Sequence, residues 1–207
     1  MSSPEVQALQ ELRKGSLYAI LSTILLSIAI VFLVASLAVI SALQPFTLTS
    51  SSSSASLSSP FASMGSLTGV VALEIIALVF TILSILRLRS GFRGLEATGK
   101  DVGGVTGTTL WIIGMILTLT LILAPIGALL VLAGLIIVGI AIRRVGQIYN
   151  VSNISIGGIL VAIGAIIPFL AFVGFILTYI GLGKLLNTMG PGGQPTSGPG
   201  QGAAPTQ

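Results

Sequence analysis

The sequence predicts an all-α fold: a polytopic transmembrane bundle of six helical spans, with five as the alternative, and a cytoplasmic N-terminus. Three observations carry this. The 207 residues are 54% hydrophobic and 7% charged, with a mean hydropathy of +1.10, whereas a soluble domain is typically about 25% charged. Long apolar stretches alternate with short polar breaks, and all nine Lys and Arg residues fall in the breaks. The two longest later stretches each carry a proline near the middle, Pro125 and Pro168.

Met1 to Lys14 is polar and reads as a short amphipathic helix ending in Arg13-Lys14. The cytoplasmic segment is drawn at 1–15 and the transmembrane domain at 16–187. The run from Ser16 to Leu43 is too long for a signal-peptide core and exceeds the roughly 18 apolar residues that mark a span. Each span must satisfy its own backbone hydrogen bonds in lipid, which a helix does. The runs lack the dyad alternation of a membrane barrel. Residues 44–69 then form a Ser-rich outer loop without charge. A second span covers about Val70 to Leu88, and residues 87–107 read as a basic, Gly-rich cytoplasmic loop.

Leu110 to Ile142 would run about 50 Å as one helix, too long for a hydrocarbon core of about 30 Å. A hairpin turning at Ala124-Pro125 resolves this. Ile154 to Leu182 is either a second hairpin around Pro168 or one kinked helix, and the two segments loosely resemble each other as an internal repeat. Charge decides between the readings. With two hairpins, every Lys and Arg falls on one side, and short-loop basic residues mark the cytoplasmic side. The tail, residues 188–207, is rich in Pro, Gly and Gln and is expected to be disordered. Asn150-Val151-Ser152 and Asn153-Ile154-Ser155 match the glycosylation acceptor pattern, but in this topology they face the cytoplasm and stay unmodified.

The connecting segments carry the family signal. LRKGSLY (Leu12 to Tyr18), RLRSGFRGL (Arg87 to Leu95), DVGGVTGT (Asp101 to Thr108) and IGGIL (Ile156 to Leu160) resemble an archaeal family of multi-spanning membrane proteins, domain of unknown function 973, over roughly residues 8 to 187. The resemblance implies an archaeal cell-membrane protein. It brings no activity, ligand or catalytic residue.

Glu74 is the one acidic residue well inside an apolar span. An ionisable group in lipid is a functional-site hypothesis by default. The bland reading is a protonated or hydrogen-bonded Glu one turn from the span's outer end. Thr81 and Ser84 follow near the same face. Arg87, Arg89, Arg93 and Lys100 form the densest basic cluster. It serves anionic headgroups or a partner, or sets orientation only. Gly94 to Asp101 approaches the phosphate-loop pattern, but Asp101 stands where the hydroxyl belongs and no strand precedes it, so its glycines read as permitting a compact turn. Gly103 and Gly107, Gly158 and Ala162, and Gly174 and Thr178 have the spacing of close helix contacts.

Cys and His are absent and Asp101 is the single Asp. That excludes disulfides, thiol and Ser-His-Asp chemistry, and paired-aspartate proteolysis. No enzyme activity and no cofactor are expected. The net charge of +4 is juxtamembrane and does not indicate nucleic acid. The expected partners are the bilayer, anionic headgroups, and membrane proteins or further copies of the chain. Two functions follow: a non-catalytic membrane component, and a small transporter or channel using Glu74.

Overall fold

The computed structural model describes residues 4–47, 58–120 and 122–189. Among these the chain is helical, with short connections and no strand. Six helices follow in order: α1 Pro4–Thr47, α2 Ser58–Ala97, α3 Gly104–Leu119, α4 Ala124–Ile148, α5 Ser152–Gly164 and α6 Pro168–Met189. Four are long and apolar enough to cross a membrane: α1 over Pro4–Ala35, α2 over Thr68–Ala97, α4 and α6. The apolar α3 and α5 are shorter.

Each helix packs on its neighbours in sequence, and α6 packs back on α1. The helices therefore close a ring of six. Contacts run antiparallel: Gly15 of α1 lies beside Leu88 of α2, while Ser22 bonds Thr81. Likewise Gly107 meets Val138 and Gly127 meets Thr118 across α3 and α4. Three hairpins result, all open toward the end that carries the basic residues.

Both proline hairpins form, with the turns displaced from the expected positions. The chain reverses between Leu119 and Ala124, and Pro125 sits in the first turn of α4. Pro168 is the first residue of α6. Proline lacks the N–H that a first turn leaves unbonded, and its fixed φ suits that position. It starts these helices rather than forming the reversal. The segment around Pro168 is a hairpin, not a kinked helix.

Two loop boundaries are corrected. The helices reach into both ends of the segment 44–69, because α1 continues to Thr47 and α2 begins at Ser58. The segment 87–107 is helical as far as Ala97. Hydropathy marks where apolar character stops, whereas Arg, Leu, Glu and Ala all sustain a helix beyond that point. The serines at 50–54 and the tail from 190 lie outside the described residues.

At the basic end the ring is filled. Leu12, Leu88, Ile142, Val145, Ile154 and Leu182 meet there from five helices, leaving no space for a water molecule. Leu9, Phe92, Leu95 and Val102 extend this core toward the α2–α3 connection. Much of the remaining surface is apolar, including Val31, Phe32, Val71 and Ile75, each more than half exposed.

Candidate functional site: the basic end of the ring

The connection from α2 to α3 is short and ordered by its backbone. Lys100 N–H bonds the Leu95 carbonyl at 3.2 Å and Gly99 N–H bonds Glu96 at 3.0 Å, with Gly99 at φ 83°. That is a Schellman closure, in which a left-handed residue ends the helix and glycine adopts it without strain. Gly94 does something else. It lies inside α2 where a side chain would strike Ala8 of α1. The glycine pair of the near-match to a phosphate loop thus serves one helix contact and one helix end. Asn150 closes α4 similarly at φ 53°, with Val151 N–H bonding Gly146 at 2.8 Å.

The Gly99 turn presents Lys100 to two partners. Its ammonium donates to the Glu5 carboxylate and, at 2.9 Å, to the Tyr149 hydroxyl, which itself donates to Glu5. The ammonium also stands 4.2 Å from the Tyr149 ring centroid, a cation–π distance. One cluster thereby ties the start of α1, the α2–α3 turn and the end of α4. These groups lie outside the apolar stretches. Lys100, then Tyr149, holds the Glu5 carboxyl below its ordinary range. Burial, then Glu5, pushes the Tyr149 hydroxyl up. A second cluster joins α1 to α2: Arg87 donates to Glu11 at 2.7 Å and Lys14 approaches the same carboxylate at 3.3 Å.

Arg13 makes the third contact, between α1 and α6. Its guanidinium lies 4.7 Å from the Tyr179 ring centroid and 3.4 Å from the Tyr179 hydroxyl. Gly183 leaves room for it, since a methyl group there would come within 3.3 Å of the guanidinium. The Arg13 Nε is buried and has no hydrogen-bond partner among the described residues.

The predicted site residues therefore separate. Arg87 and Lys100 hold the chain's own carboxylates, whereas Arg89 and Arg93 are exposed on α2. Glu74 lies on α2 about 20 Å along the helix from Arg87, exposed among exposed Val71, Ile75 and Ile76. Thr81 and Ser84 do not continue a path from it. Thr81 bonds Ser22, and the buried Ser84 hydroxyl donates to the Gly15 carbonyl at 2.9 Å. Of the glycine pairs, Gly158 and Ala162 face α4, and Gly174 and Thr178 face α5, whereas Gly103 precedes α3. Among the described residues no group of three acidic side chains gathers to hold a metal ion.

Sequence reading singled out the basic cluster and missed Glu5, Tyr149, Arg13 and Tyr179. A signal was present in part: Gln10, Arg13, Lys14 and Leu17 recur at helical spacing on one face of α1.

An all-helical ring with apolar flanks and its basic residues gathered at one end has the character of a membrane protein. The chain belongs to a family of proteins of unknown function (DUF973), which matches residues 5–206. No curated protein and no solved structure matches it.

Proposed function

We propose that the protein is a multi-pass, non-catalytic component of the cell membrane. Its basic end faces the cytoplasm, and it meets partner helices through its outer faces. The outward position of Glu74 carries this reading. A carboxyl on a lipid-facing flank is costly unless another group covers it, and the neighbouring exposed apolar side chains on α2 give a partner helix a surface to pack on. The sealed centre of the ring at the basic end supports it further, because a transport path through the ring would have to pass there. The hydroxyls between α1 and α2 are bonded to each other and to carbonyls, which suits packing more than conduction.

The test is purification from the native membrane in mild detergent, with a photo-crosslinking residue at Ile75. A stoichiometric partner captured there, and lost in Glu74→Gln, is expected. Recovery without a partner, together with an ion flux in proteoliposomes that Glu74→Gln abolishes, would replace this reading with transport. Orientation is checked separately, because the chain has no cysteine. Gln147→Cys is expected to resist an impermeant thiol reagent added outside intact cells.

A further inference from the structure

Helices α1 and α6 form two grooves, one above the other. The upper groove, of about 470 Å³, lies between Gln10, Arg13 and Lys14 of α1 and Tyr179 and Asn187 of α6, with Leu17 at its lower edge. The lower groove, of about 400 Å³, is apolar, with Ile24 and Ile28 of α1 facing Phe169 and Phe172 of α6. The lining repeats every seven residues on both helices: Gln10, Leu17 and Ile24 on one, Leu186, Tyr179 and Phe172 on the other. Seven residues advance a helix by about 10 Å and return it to nearly the same face. The two grooves are therefore successive parts of one seam, cationic at its basic end and apolar below.

We propose that this seam holds one phospholipid, its phosphate at Arg13 and one acyl chain in the lower groove. Arg13 is the chief contact. Its guanidinium lines the upper groove, and a guanidinium pairs well with phosphate oxygens. Tyr179 and the gap at Gly183 hold the guanidinium across the seam. Lys14 adds positive charge at the rim but shares its ammonium with Glu11, so its part is smaller. Gln10 and Asn187 offer neutral hydrogen bonds to a glycerol-type headgroup. The apolar lower groove favours a lipid over a soluble phosphate, because a free anion would leave it unfilled. Arg89 and Arg93 line neither groove, which distinguishes this site from general attraction to an anionic surface.

The inference rests on the membrane reading, though not on a partner at Glu74. The experiment is native mass spectrometry of the intact protein from detergent, supplied in turn with phosphatidylglycerol, phosphatidylcholine and inorganic phosphate. One phosphatidylglycerol per chain is expected to be retained in preference to phosphatidylcholine. Arg13→Gln should weaken that retention about tenfold, the loss of one charge-assisted contact. Lys14→Gln, at an exposed position, should weaken it about twofold, and Arg89→Gln should leave it unchanged. Equal retention of both lipids would overturn the site, as would undiminished retention by folded Arg13→Gln. If Arg13→Gln does not fold, Lys14→Gln decides, and an unchanged lipid preference there counts against the proposal. Displacement of the lipid by millimolar phosphate would reassign the groove to a soluble anion. Release of the protein from membranes by alkaline carbonate would instead defeat the membrane reading itself.

Discussion

Helices α1 and α2 cross-link largely through side chains. Ser22 bonds both Thr81 and the Ala77 carbonyl, Ser84 bonds the Gly15 carbonyl, and Tyr18 packs near Phe80 with ring centroids 6.0 Å apart. Where glycine brings these two helices close, the facing atoms include the movable ends of Leu12 and Leu88. Helices α3 to α6 touch backbone to backbone instead. A methyl group on Gly134 would lie 2.6 Å from the Trp111 nitrogen, and one on Gly158 would lie 2.3 Å from the Arg143 nitrogen. The first arrangement can give in part by rotating a side chain, although the Leu88 nitrogen and the Ala8 carbonyl also stand 2.9 Å from the added methyl groups. The second can give only by separating helices. In lipid, where apolar burial does not drive helices together, close backbone approach and interhelical hydrogen bonds are the two main routes to association. This chain uses one route in each half.

Substitution at the glycine seams is the severest way to break the contrast. Gly158→Val is expected to cost about 3 kcal/mol or more, the upper range for overpacking, and to lower the yield of folded protein. Gly69→Ala, with nothing within 4 Å of the added methyl, should cost nothing. Thermal unfolding followed by the single tryptophan, Trp111, compares the two directly, since that residue sits in the α3–α4 hairpin.

Glu5→Gln tests whether the two halves are joined at the basic end. It removes the carboxylate shared by Lys100 and Tyr149, and the partly exposed cluster should lose about 1 kcal/mol. Acid gives an independent measure. Because the folded state holds Glu5 below its ordinary pKa of 4.5, its contribution is present above that value and is lost as pH falls through the depressed one. Tyr149 has the opposite sign. Its raised pKa favours the neutral hydroxyl, so its contribution is present below the ordinary value of 10.0 and declines as pH rises above it. Stability measured across pH should fall at both limbs, and Glu5→Gln should flatten the acid one.

Within the α1–α2 hairpin, Ser84→Ala should cost about 0.6 kcal/mol, a typical interhelical hydrogen bond in a membrane protein. The smallest effect is expected at Glu11→Gln. Its pair with the exposed Arg87 should contribute least of all and fade as salt is added. A loss at Ser84→Ala as large as that at Gly158→Val would erase the distinction between the halves.

The six helices and the single basic end were legible in the sequence, because length, proline position and charge asymmetry all reflect how a helix meets lipid. Pro125 and Pro168 pointed to the hairpins within a few residues. The limits of α1 and α2 were less legible. The stretch from Arg89 to Ala97 is polar yet helical, and polarity reports the solvent rather than the backbone. The candidate site was less legible still. Glu5, Lys100 and Tyr149 lie far apart in sequence and meet only once the ring closes. Arg13 looked like half of an orientation signal until Tyr179 and Gly183 were placed beside it.

The helix lengths have a consequence for the surrounding bilayer. The 13 residues of α5 span about 20 Å, and the 44 of α1 about 65 Å. In the multi-pass arrangement proposed above, lipid against α5 must thin locally or let headgroups bend inward, while lipid against α1 can keep its natural thickness. Each ångström of mismatch costs a fraction of a kcal/mol, and here that cost falls on the part of the ring that holds the two short helices, α3 and α5. A lopsided collar of deformed lipid pulls similar collars together, so molecules crowded in one membrane should gather with their short helices facing each other, without any specific contact between them.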